Sequence, residues 1–276
     1  MTPPFDSVLH ATRHGPMWGL RADAYITRSL ELYGEYCEAE ADVFRQLVRP
    51  GMTVVEAGAN IGAHTVMLAR ACAPGRLIAF EPQQRAFQLL CANLTMNEIA
   101  NVTAYPEALG PAAGVVEMPP VDYGVAGNFG SVSPRPAEGA GEPWREGRMV
   151  RQRPLDALEL PDCGLLKVDV EGWEVGVLRG AMATIARCRP ILYVENDRAA
   201  HQAELIALID ALGYAQYWHV APLFSPSNFN AVGEDVFNNV SSMNMLCVPA
   251  ERKLTVTDME RIDPQNWRSP LTPIGG

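Results

Sequence analysis

The residues in this sequence best suited to chemistry are acids that stand beside glycines at the ends of apolar runs. The stretch VVEAGANIGAHT spans residues 54–65 and places Glu56 two residues before Gly58. A second acid, Glu81, closes the apolar run LIAFE and is followed by Pro82. A glycine-rich turn after a strand usually receives a nucleotide, because the backbone can approach a ligand closely there. The pattern therefore raises the question of which nucleotide this turn accepts.

The dinucleotide fingerprint G-x-G-x-x-G fits the turn poorly. Its three glycine places fall on Gly58, Asn60 and Ala63, so a side chain stands where backbone must approach a pyrophosphate. A carboxylate at Glu56 would repel a pyrophosphate, but it suits a ligand that carries a positive amino group. Glu81 stands where an acid accepts hydrogen bonds from the two hydroxyls of a ribose. A ligand with an amine and a ribose but without phosphates is predicted, and S-adenosylmethionine has these features. The alternative interpretation of Glu56 is an ordinary surface acid, or an acid that interacts favourably with a helix dipole.

Strands and helices that could position these acids alternate from residue 53 onward. Apolar runs predict strands at residues 53–57, 77–81, 102–106, 115–118, 165–170 and 191–196, and two final strands at 215–220 and 243–249. Helical spacing predicts helices at residues 62–72, 83–97, 171–186 and 201–212. This alternation predicts an α/β fold with a mostly parallel sheet covered on both faces, and ligands at the carboxyl ends of its strands.

One domain with two extensions is the predicted organisation. Residues 1–50 are expected to form an N-terminal helical cap, residues 51–250 the main domain, and residues 251–276 a polar and loose tail. The Gly/Pro-rich stretch at 119–148 has no sustained periodicity and predicts a long insertion loop. Loops of that length in a compact domain are often functional.

Charge and cysteine usage narrow the partners and the compartment. The net charge of −10 argues against a nucleic-acid partner, which needs a basic face. The six cysteines are scattered without metal-ligand spacing, which indicates a reducing compartment. Because the sequence also shows no secretory signal and no apolar run long enough to span a membrane, we expect a cytoplasmic protein. The oligomeric state cannot be predicted from these features.

Five stretches, taken together, resemble the FkbM family of S-adenosylmethionine-dependent methyltransferases. In chain order they are VVEAGANIGAHT, AFEPQ, EALG, LLKVDVEGWE and YVEND. The resemblance runs from about Tyr33 to Pro249 and implies a class I methyltransferase fold, a Rossmann-like doubly wound sheet with an antiparallel last strand. Glu56 stands where an aspartate is commoner in the family, but the carboxylate is kept. The resemblance also implies the residues that line the cofactor: Glu56, Gly58, Asn60, Gly62, Thr65 and Glu81, with Glu107 and Ala108 near the adenine.

The chemistry of transfer is expected at the end of the fourth strand of this fold, where Asp169 lies. Methyltransferases that act on planar amines often carry Asn/Asp-Pro-Pro-aromatic here, whereas this chain has Asp-Val-Glu-Gly at residues 169–172. That difference argues against methylation of a nucleobase. Methylation of a hydroxyl needs a base, and the candidates are Asp169, Glu171 and His219. His219 taken alone is more typical of a residue that simply ends a strand.

A divalent metal is an open alternative at the same edge of the sheet. Glu195, Asn196 and Asp197 end the neighbouring strand, and oxygen ligands there could share Mg²⁺ with Asp169. The simpler interpretation is that Glu195 only caps its strand, because solvated acids at strand ends are common.

The predicted reaction is O-methylation of a hydroxyl on a small acceptor, a sugar or a secondary metabolite, since the family acts mostly on such hydroxyls. The insertion loop, with Asn128, Phe129 and Trp144, and the segment 222–235 are expected to form the acceptor side. An ordinary surface loop would have the same composition. Two other functions remain open, an NAD-dependent oxidoreductase on the same fold and a cofactor-binding protein without catalysis.

Overall fold

A seven-stranded sheet forms the centre of the molecule in the computed structural model, which describes residues 6–136 and 148–270. In chain order the strands are β1 (Ser7–His10), β2 (Met17–Leu20), β3 (Thr53–Ala57), β4 (Arg76–Phe80), β5 (Val102–Tyr105), β6 (Ala108–Leu109), β7 (Gly114–Met118), β8 (Arg135–Pro136), β9 (Arg148–Arg153), β10 (Leu165–Val168), β11 (Ile191–Glu195), β12 (Tyr214–Pro222) and β13 (Ser241–Pro249). The helices are α1 (Ile26–Tyr33), α2 (Glu38–Leu47), α3 (Thr65–Cys72), α4 (Gln84–Met96), α5 (Glu174–Arg179), α6 (Met182–Cys188) and α7 (Ala199–Ala211), and a 3-10 turn spans Leu155–Leu158.

The strand order and directions confirm the predicted class I methyltransferase fold. Across the sheet the order is β12-β13-β11-β10-β3-β4-β5. Neighbouring strands are parallel except at β13, which runs antiparallel to both β11 and β12. The chain moves outward from β3 to β4 and β5, and returns to build β10 and β11 on the other side. The carboxyl ends of β3 and β10 therefore form the switch point at which such sheets bind ligands.

Alternate residues of the central strands pack into two separate cores, one on each face. Val54 is fully buried in the core that contains Phe44 of α2, whereas Val55 is fully buried in the core that contains Leu205 of α7. Because helices cover both faces, the strands can be apolar along nearly their whole length. This packing fixes the strand ends that carry the acids.

The N-terminal segment is more than the expected helical cap. Before α2, residues Ser7–His10 and Met17–Leu20 pair as an antiparallel hairpin, and α1 follows. The Asp23 carboxylate accepts a hydrogen bond from the Thr27 backbone N–H at 2.8 Å, which supports the start of α1. Short strands of this kind give too weak a periodicity to be recognised in sequence.

The region predicted as a long loop contributes to a second, four-stranded sheet. The strand order in this sheet is β6-β9-β7-β8. β8 lies inside the stretch 119–148 that was expected to be irregular, and β9 begins at the last residue of that stretch. The loop also returns to the N-terminal segment through a bridge between Asp23 and Gly127. Residues 137–147, which include Trp144, lie outside the described residues.

Two further expectations about local structure were wrong in part. The single helix predicted after β10 is divided into α5 and α6 at Gly180, where a Cβ would overlap the carbonyl oxygen of Gly110. The tail predicted to be loose is largely exposed over residues 251–270, but it contacts β12 at residues 260–262 and at Trp267. The Ile262 N–H donates to the Gln216 carbonyl at 2.8 Å, and Trp267 lies 6.3 Å from Trp218 between ring centroids.

Candidate active site

A cavity of about 340 Å³ opens at the carboxyl ends of β3, β4, β10 and β11. Its volume is within the usual range for small-molecule sites. Of the predicted cofactor-binding and catalytic residues, those that line it are Glu56, Gly58, Asn60, Glu81, Glu107, Ala108, Asp169 and Glu171. Gly62, Thr65 and His219 do not line it.

Glu81 is held in place by backbone donors on both of its oxygens. The carboxylate accepts hydrogen bonds from the Asn60 N–H at 2.8 Å and the Gln83 N–H at 2.7 Å, and the residue is 3% exposed. Burial raises the pKa of Glu81 to about 7, and the two backbone hydrogen bonds oppose that rise. Since no cation is paired with it among the described residues, the carboxylate keeps acceptor capacity for hydroxyl groups in the cavity.

Glu56 is held from two sides inside the same wall. The Thr65 hydroxyl donates to Glu56 Oε2 at 2.7 Å, and Lys167 Nζ lies 3.8 Å from Oε1. Burial raises the pKa of Glu56 to about 7, while Lys167 and Thr65 lower it. The resemblance implied that Thr65 lines the cofactor, but Thr65 is fully buried and instead orients the carboxylate that does reach the cavity.

Glycine is required at two positions of the turn because a side chain there would overlap other parts of the protein, not because a ligand needs the space. Gly58 has φ +82°, and a Cβ there would overlap the backbone carbonyl oxygen of Asp169. Gly62 has φ +88°, and a Cβ would come within 2.8 Å of the Leu90 side chain, so Gly62 allows helix packing and is not a lining residue. Asn60, at the second glycine place, has φ +49° and lines the cavity.

Glu107 lines the cavity but is committed to an ion pair. Arg153 binds both of its carboxylate oxygens, one of them at 2.8 Å. Arg151 adds a longer contact of 3.7 Å. Ala108 beside it is 4% exposed, so this part of the wall offers an apolar surface and an already neutralised acid.

Asp169 follows β10 and is accessible from the cavity, with a side chain 34% exposed. Lys167 Nζ donates to its Oδ2 at 3.1 Å. Lys167 itself is 2% exposed, and its role could not be recognised from the sequence. Burial lowers the pKa of Lys167, but the nearby carboxylates of Asp169, Glu56 and Glu40 outweigh it and raise the pKa overall, so the amine is a cation.

Three acids, Asp169 among them, come together at this edge of the sheet: Asp169 and Glu195, which the metal hypothesis named, are joined by Glu171 rather than by Asn196 and Asp197. Asp169, Glu171 and Glu195 each offer an oxygen within 4.8 Å of the others. Burial and the Asp169 charge raise the pKa of Glu195 well above its usual value, and its Oε2 is buried with no hydrogen-bond partner among the described atoms. Asn196 is turned away, with its amide on the Met245 sulfur at 3.3 Å.

Cations already accompany two of these acids. Arg198 pairs with Glu171 and lies 3.3 Å from Asp197. Burial and the Asp169 charge raise the pKa of Glu171, and Arg198 opposes that rise. With Lys167 on Asp169, the protein itself neutralises much of the negative charge that would otherwise require an ion.

His219 lies on β12 away from the cavity lining. Its Nδ1 is 2.7 Å from the Tyr193 hydroxyl, and burial lowers its pKa. The structure therefore gives His219 a structural hydrogen bond and does not bring it together with Asp169 and Glu171.

Residues distant in sequence complete the cavity, and the sequence patterns did not indicate most of them. The N-terminal segment supplies Tyr25, Ile26 and Tyr36, the β12–β13 connection supplies Leu223 and Val240, and the start of β13 supplies Ser241 and Ser242. The loop before β8 supplies Asn128 and Ser131, but Phe129 is 6% exposed and packs in the core, against the expectation that it faces the acceptor. The sequence feature that could have indicated that the N-terminal segment lines the cavity is the pair of tyrosines around a glycine at residues 33–36.

Comparison with known proteins agrees with this architecture. The model of the methyltransferase FkbM domain family matches residues 56–215, more than half of the chain. A curated relative, methyltransferase sdnD of Sordaria araneosa, is 32% identical over 158 residues, which cover 46% of this chain and 59% of that protein. The chain thus spans less than two thirds of that relative.

Two solved structures match part of the chain. The methyltransferase FkbM of Methylobacillus flagellatus is 16% identical with a TM-score of 0.45, over 75% of this chain and 50% of that one. The precorrin-6y C5,15-methyltransferase of Geobacter metallireducens is 12% identical with a TM-score of 0.48, over 76% of this chain and 86% of that one. Within the described residues, every helix lacks the length or the apolar character needed to cross a bilayer. On the match of the family model, the chain belongs to the FkbM methyltransferase family.

Proposed function

We propose that this methyltransferase uses S-adenosylmethionine and methylates a hydroxyl oxygen of a small acceptor, a sugar or a sugar-bearing secondary metabolite. The observation that carries the proposal is Asp169, an acid at the carboxyl end of β10 with one oxygen on Lys167 and a side chain 34% exposed at the cavity. A carboxylate so placed is suited to accept the proton of an attacking hydroxyl.

The residues around the switch point fit this cofactor. Glu81 offers two fixed carboxylate oxygens, which suit the two hydroxyls of a ribose. Glu56 offers a buried carboxylate, which suits a positive amino group. When bound, S-adenosylmethionine supplies an electrophilic methyl group on a sulfonium centre. Ala108 and the neutralised Glu107 suit an uncharged base.

The contribution of the chain to transfer is positioning and proton removal. The Asp169 carboxylate takes the hydroxyl proton while Lys167 stays on its other oxygen. The wall of Asn128, Ser131 and Ser242 offers amide and hydroxyl partners to the remaining hydroxyls of an acceptor. The rings of Tyr25 and Tyr36 add flat apolar surface of the kind that sugar rings pack against.

Oxygen is favoured over a nucleobase nitrogen by sequence and charge. The Pro-Pro-aromatic stretch is absent from residues 169–172. The cavity is also edged by Asp169, Glu171, Glu195 and Asp197, and the whole chain has a net charge of −10. The phosphate backbone of a nucleic acid would be repelled from such a surface.

Direct base catalysis is favoured over a metal-bound hydroxyl. Lys167 and Arg198 already lie on Asp169 and Glu171, so binding of Mg²⁺ would have to displace or oppose two cations. We expect turnover to be unchanged by EDTA. Loss of turnover in EDTA that Mg²⁺ or Mn²⁺ restores would establish the metal version instead.

Calorimetry and a panel of hydroxylated acceptors test the function itself. We expect binding of S-adenosylmethionine and no binding of a nicotinamide dinucleotide, since Asn60 carries a side chain at the second glycine place. We expect methylation of at least one sugar or glycoside in the panel, with methyl groups on oxygen. Binding without turnover on any acceptor, including a cell extract with radiolabelled cofactor, would favour a cofactor-binding protein without catalysis.

A further inference from the structure

Lys167 is an unusual residue in its position. The chain contains two lysines, Lys167 and Lys253, and its other basic residues are arginines and histidines. Lys253 is exposed, whereas Lys167 is 2% exposed in the middle of the sheet. A buried ammonium requires carboxylate partners, because losing its water is strongly unfavourable.

The strand register places those partners beside Lys167. In the parallel pairing of β10 with β3, Lys167 stands directly opposite Glu56. Asp169 follows two residues later, and residues two apart project to the same face of extended backbone. The three side chains therefore converge on one side of the switch point, with Glu40 of α2 adding a further negative charge.

The distances show which acid Lys167 serves. Lys167 Nζ lies 3.1 Å from Asp169 Oδ2 but 3.8 Å from Glu56 Oε1. Glu56 is 1% exposed and Asp169 has a side chain 34% exposed, so the amine hydrogen-bonds the accessible carboxylate rather than the deeper one. Neutralising buried charge alone would place the amine nearest to the most buried acid.

The two oxygens of Asp169 differ in their surroundings. Lys167 fixes Oδ2, and Oδ1 has no hydrogen-bond donor among the residues that the structure describes. We propose that Lys167 is a positioning residue, which clamps Oδ2 of Asp169 so that Oδ1 is presented to the acceptor hydroxyl. The inference rests on the proposed function, because it assigns the base that Lys167 holds.

The pairing can be tested without any acceptor. Because the chain has only two lysines, protein labelled with ¹⁵N-lysine should give two side-chain ammonium signals, with exposed Lys253 as the internal reference. We expect Asp169→Asn to shift the Lys167 signal and leave the Lys253 signal in place. An unchanged Lys167 signal would contradict the clamp, and this outcome does not depend on whether methyl transfer is to oxygen.

The catalytic consequence is tested with Lys167→Met, which keeps much of the length of the side chain and removes its charge. On an acceptor from the sugar panel, we expect kcat to fall about 10- to 100-fold, the loss typical of one charge-assisted hydrogen bond. The acceptor KM and the affinity for S-adenosylmethionine should change by less than about fivefold, well below the loss in kcat. Lys167→Arg should restore part of kcat, and Lys253→Met should behave as the wild type.

The outcomes separate this proposal from the proposed function. If wild-type protein fails to methylate oxygen, the proposed function is wrong. If it does and Lys167→Met retains kcat within about threefold, the positioning role is wrong. Equal losses of cofactor affinity and kcat, or no recovery in a folded Lys167→Arg protein, would also overturn it, since a structural cation alone would give that pattern.

Discussion

The two halves of the cavity are built differently. The half at the ends of β3 and β4 comes from two short stretches, and its acids are fixed by backbone N–H groups and by Thr65. The half around Asp169 combines β10 and β11 with the N-terminal segment, the loop before β8 and the β12–β13 connection. Under the proposed function, the cofactor half is thus set by local turns, whereas the acceptor half depends on contacts between distant parts of the chain.

Removing the Asp169 charge should break the acceptor half most severely. Asp169→Asn keeps the shape, and we expect a loss of about 10²- to 10⁴-fold in kcat, the range for a general base. The affinity for S-adenosylmethionine, measured by calorimetry, should stay within severalfold of the wild type. Asp197→Asn is the matched control, because Asp197 lies on the adjacent strand end with the same 34% exposure. Equal effects of the two substitutions would show that only the total charge matters.

Substituting Gly58 should destabilise the contact between the turn after β3 and Asp169, where the two halves of the cavity meet, and not only the cofactor half. The added Cβ of Gly58→Ala would overlap the Asp169 carbonyl at a positive φ, so the free energy of unfolding should fall by about 3–5 kcal/mol. Gly51→Ala is the control, because Gly51 also has a positive φ of +87° but no neighbouring atom within 4 Å of where an alanine methyl group would lie. Its expected loss is about 1 kcal/mol.

Denaturant unfolding of both alanine variants measures the difference. A Gly58→Ala protein as stable as Gly51→Ala would mean that the two strand ends are not in close contact. It would also remove the structural link between the glycine turn and Asp169.

Glu81→Gln should weaken cofactor binding and leave the structure of the acceptor half unchanged. The glutamine amide would set N–H donors against the backbone N–H of Asn60 or Gln83, and it would accept fewer bonds from a ribose. We expect about 10- to 100-fold weaker binding of S-adenosylmethionine. Glu107→Gln should weaken it less, since Arg153 already occupies that carboxylate. Calorimetry that ranks Glu107→Gln as the more damaging change would reverse the proposed roles.

The pH dependence of binding gives the smallest expected effect. Burial raises the pKa values of Glu56 and Glu81 to about 7, so both carboxyls hold protons below that pH. An amine and ribose hydroxyls prefer the ionised forms, and affinity should fall about tenfold between about pH 7.5 and about pH 6.

Without cofactor, the sign for stability is opposite. A carboxyl whose pKa is raised in the folded state contributes stability that is complete below its unfolded value and is lost as the pH rises through about 7. The melting temperature of the free protein should therefore fall from about pH 5 to about pH 8, while the increase produced by S-adenosylmethionine grows. A cofactor affinity independent of pH would show that these two acids do not contact it.

Sequence patterns predicted the central sheet and the acids at its strand ends because both are local. A buried parallel strand is a short apolar run, and Glu56, Glu81 and Asp169 each lie at the end of such a run. Lys167 was missed because one charged residue inside a buried strand shows no periodicity, and its meaning depends on register with β3. The position of the tail against β12, Phe129 in the core and the tyrosines from the N-terminal segment depend on tertiary contacts that local patterns do not encode. His219 was a candidate only because of its residue type and its place near a strand end.

The position of the transferred methyl group tests the central claim most directly. The protein would be incubated with S-adenosylmethionine labelled with ¹³C in its methyl group and with the acceptor panel, and the product examined by NMR. We expect a new ¹³C signal from a methyl group bonded to oxygen, formed with the wild type and nearly absent with Asp169→Asn. A methyl group on nitrogen or carbon, or undiminished ether formation by Asp169→Asn, would contradict it.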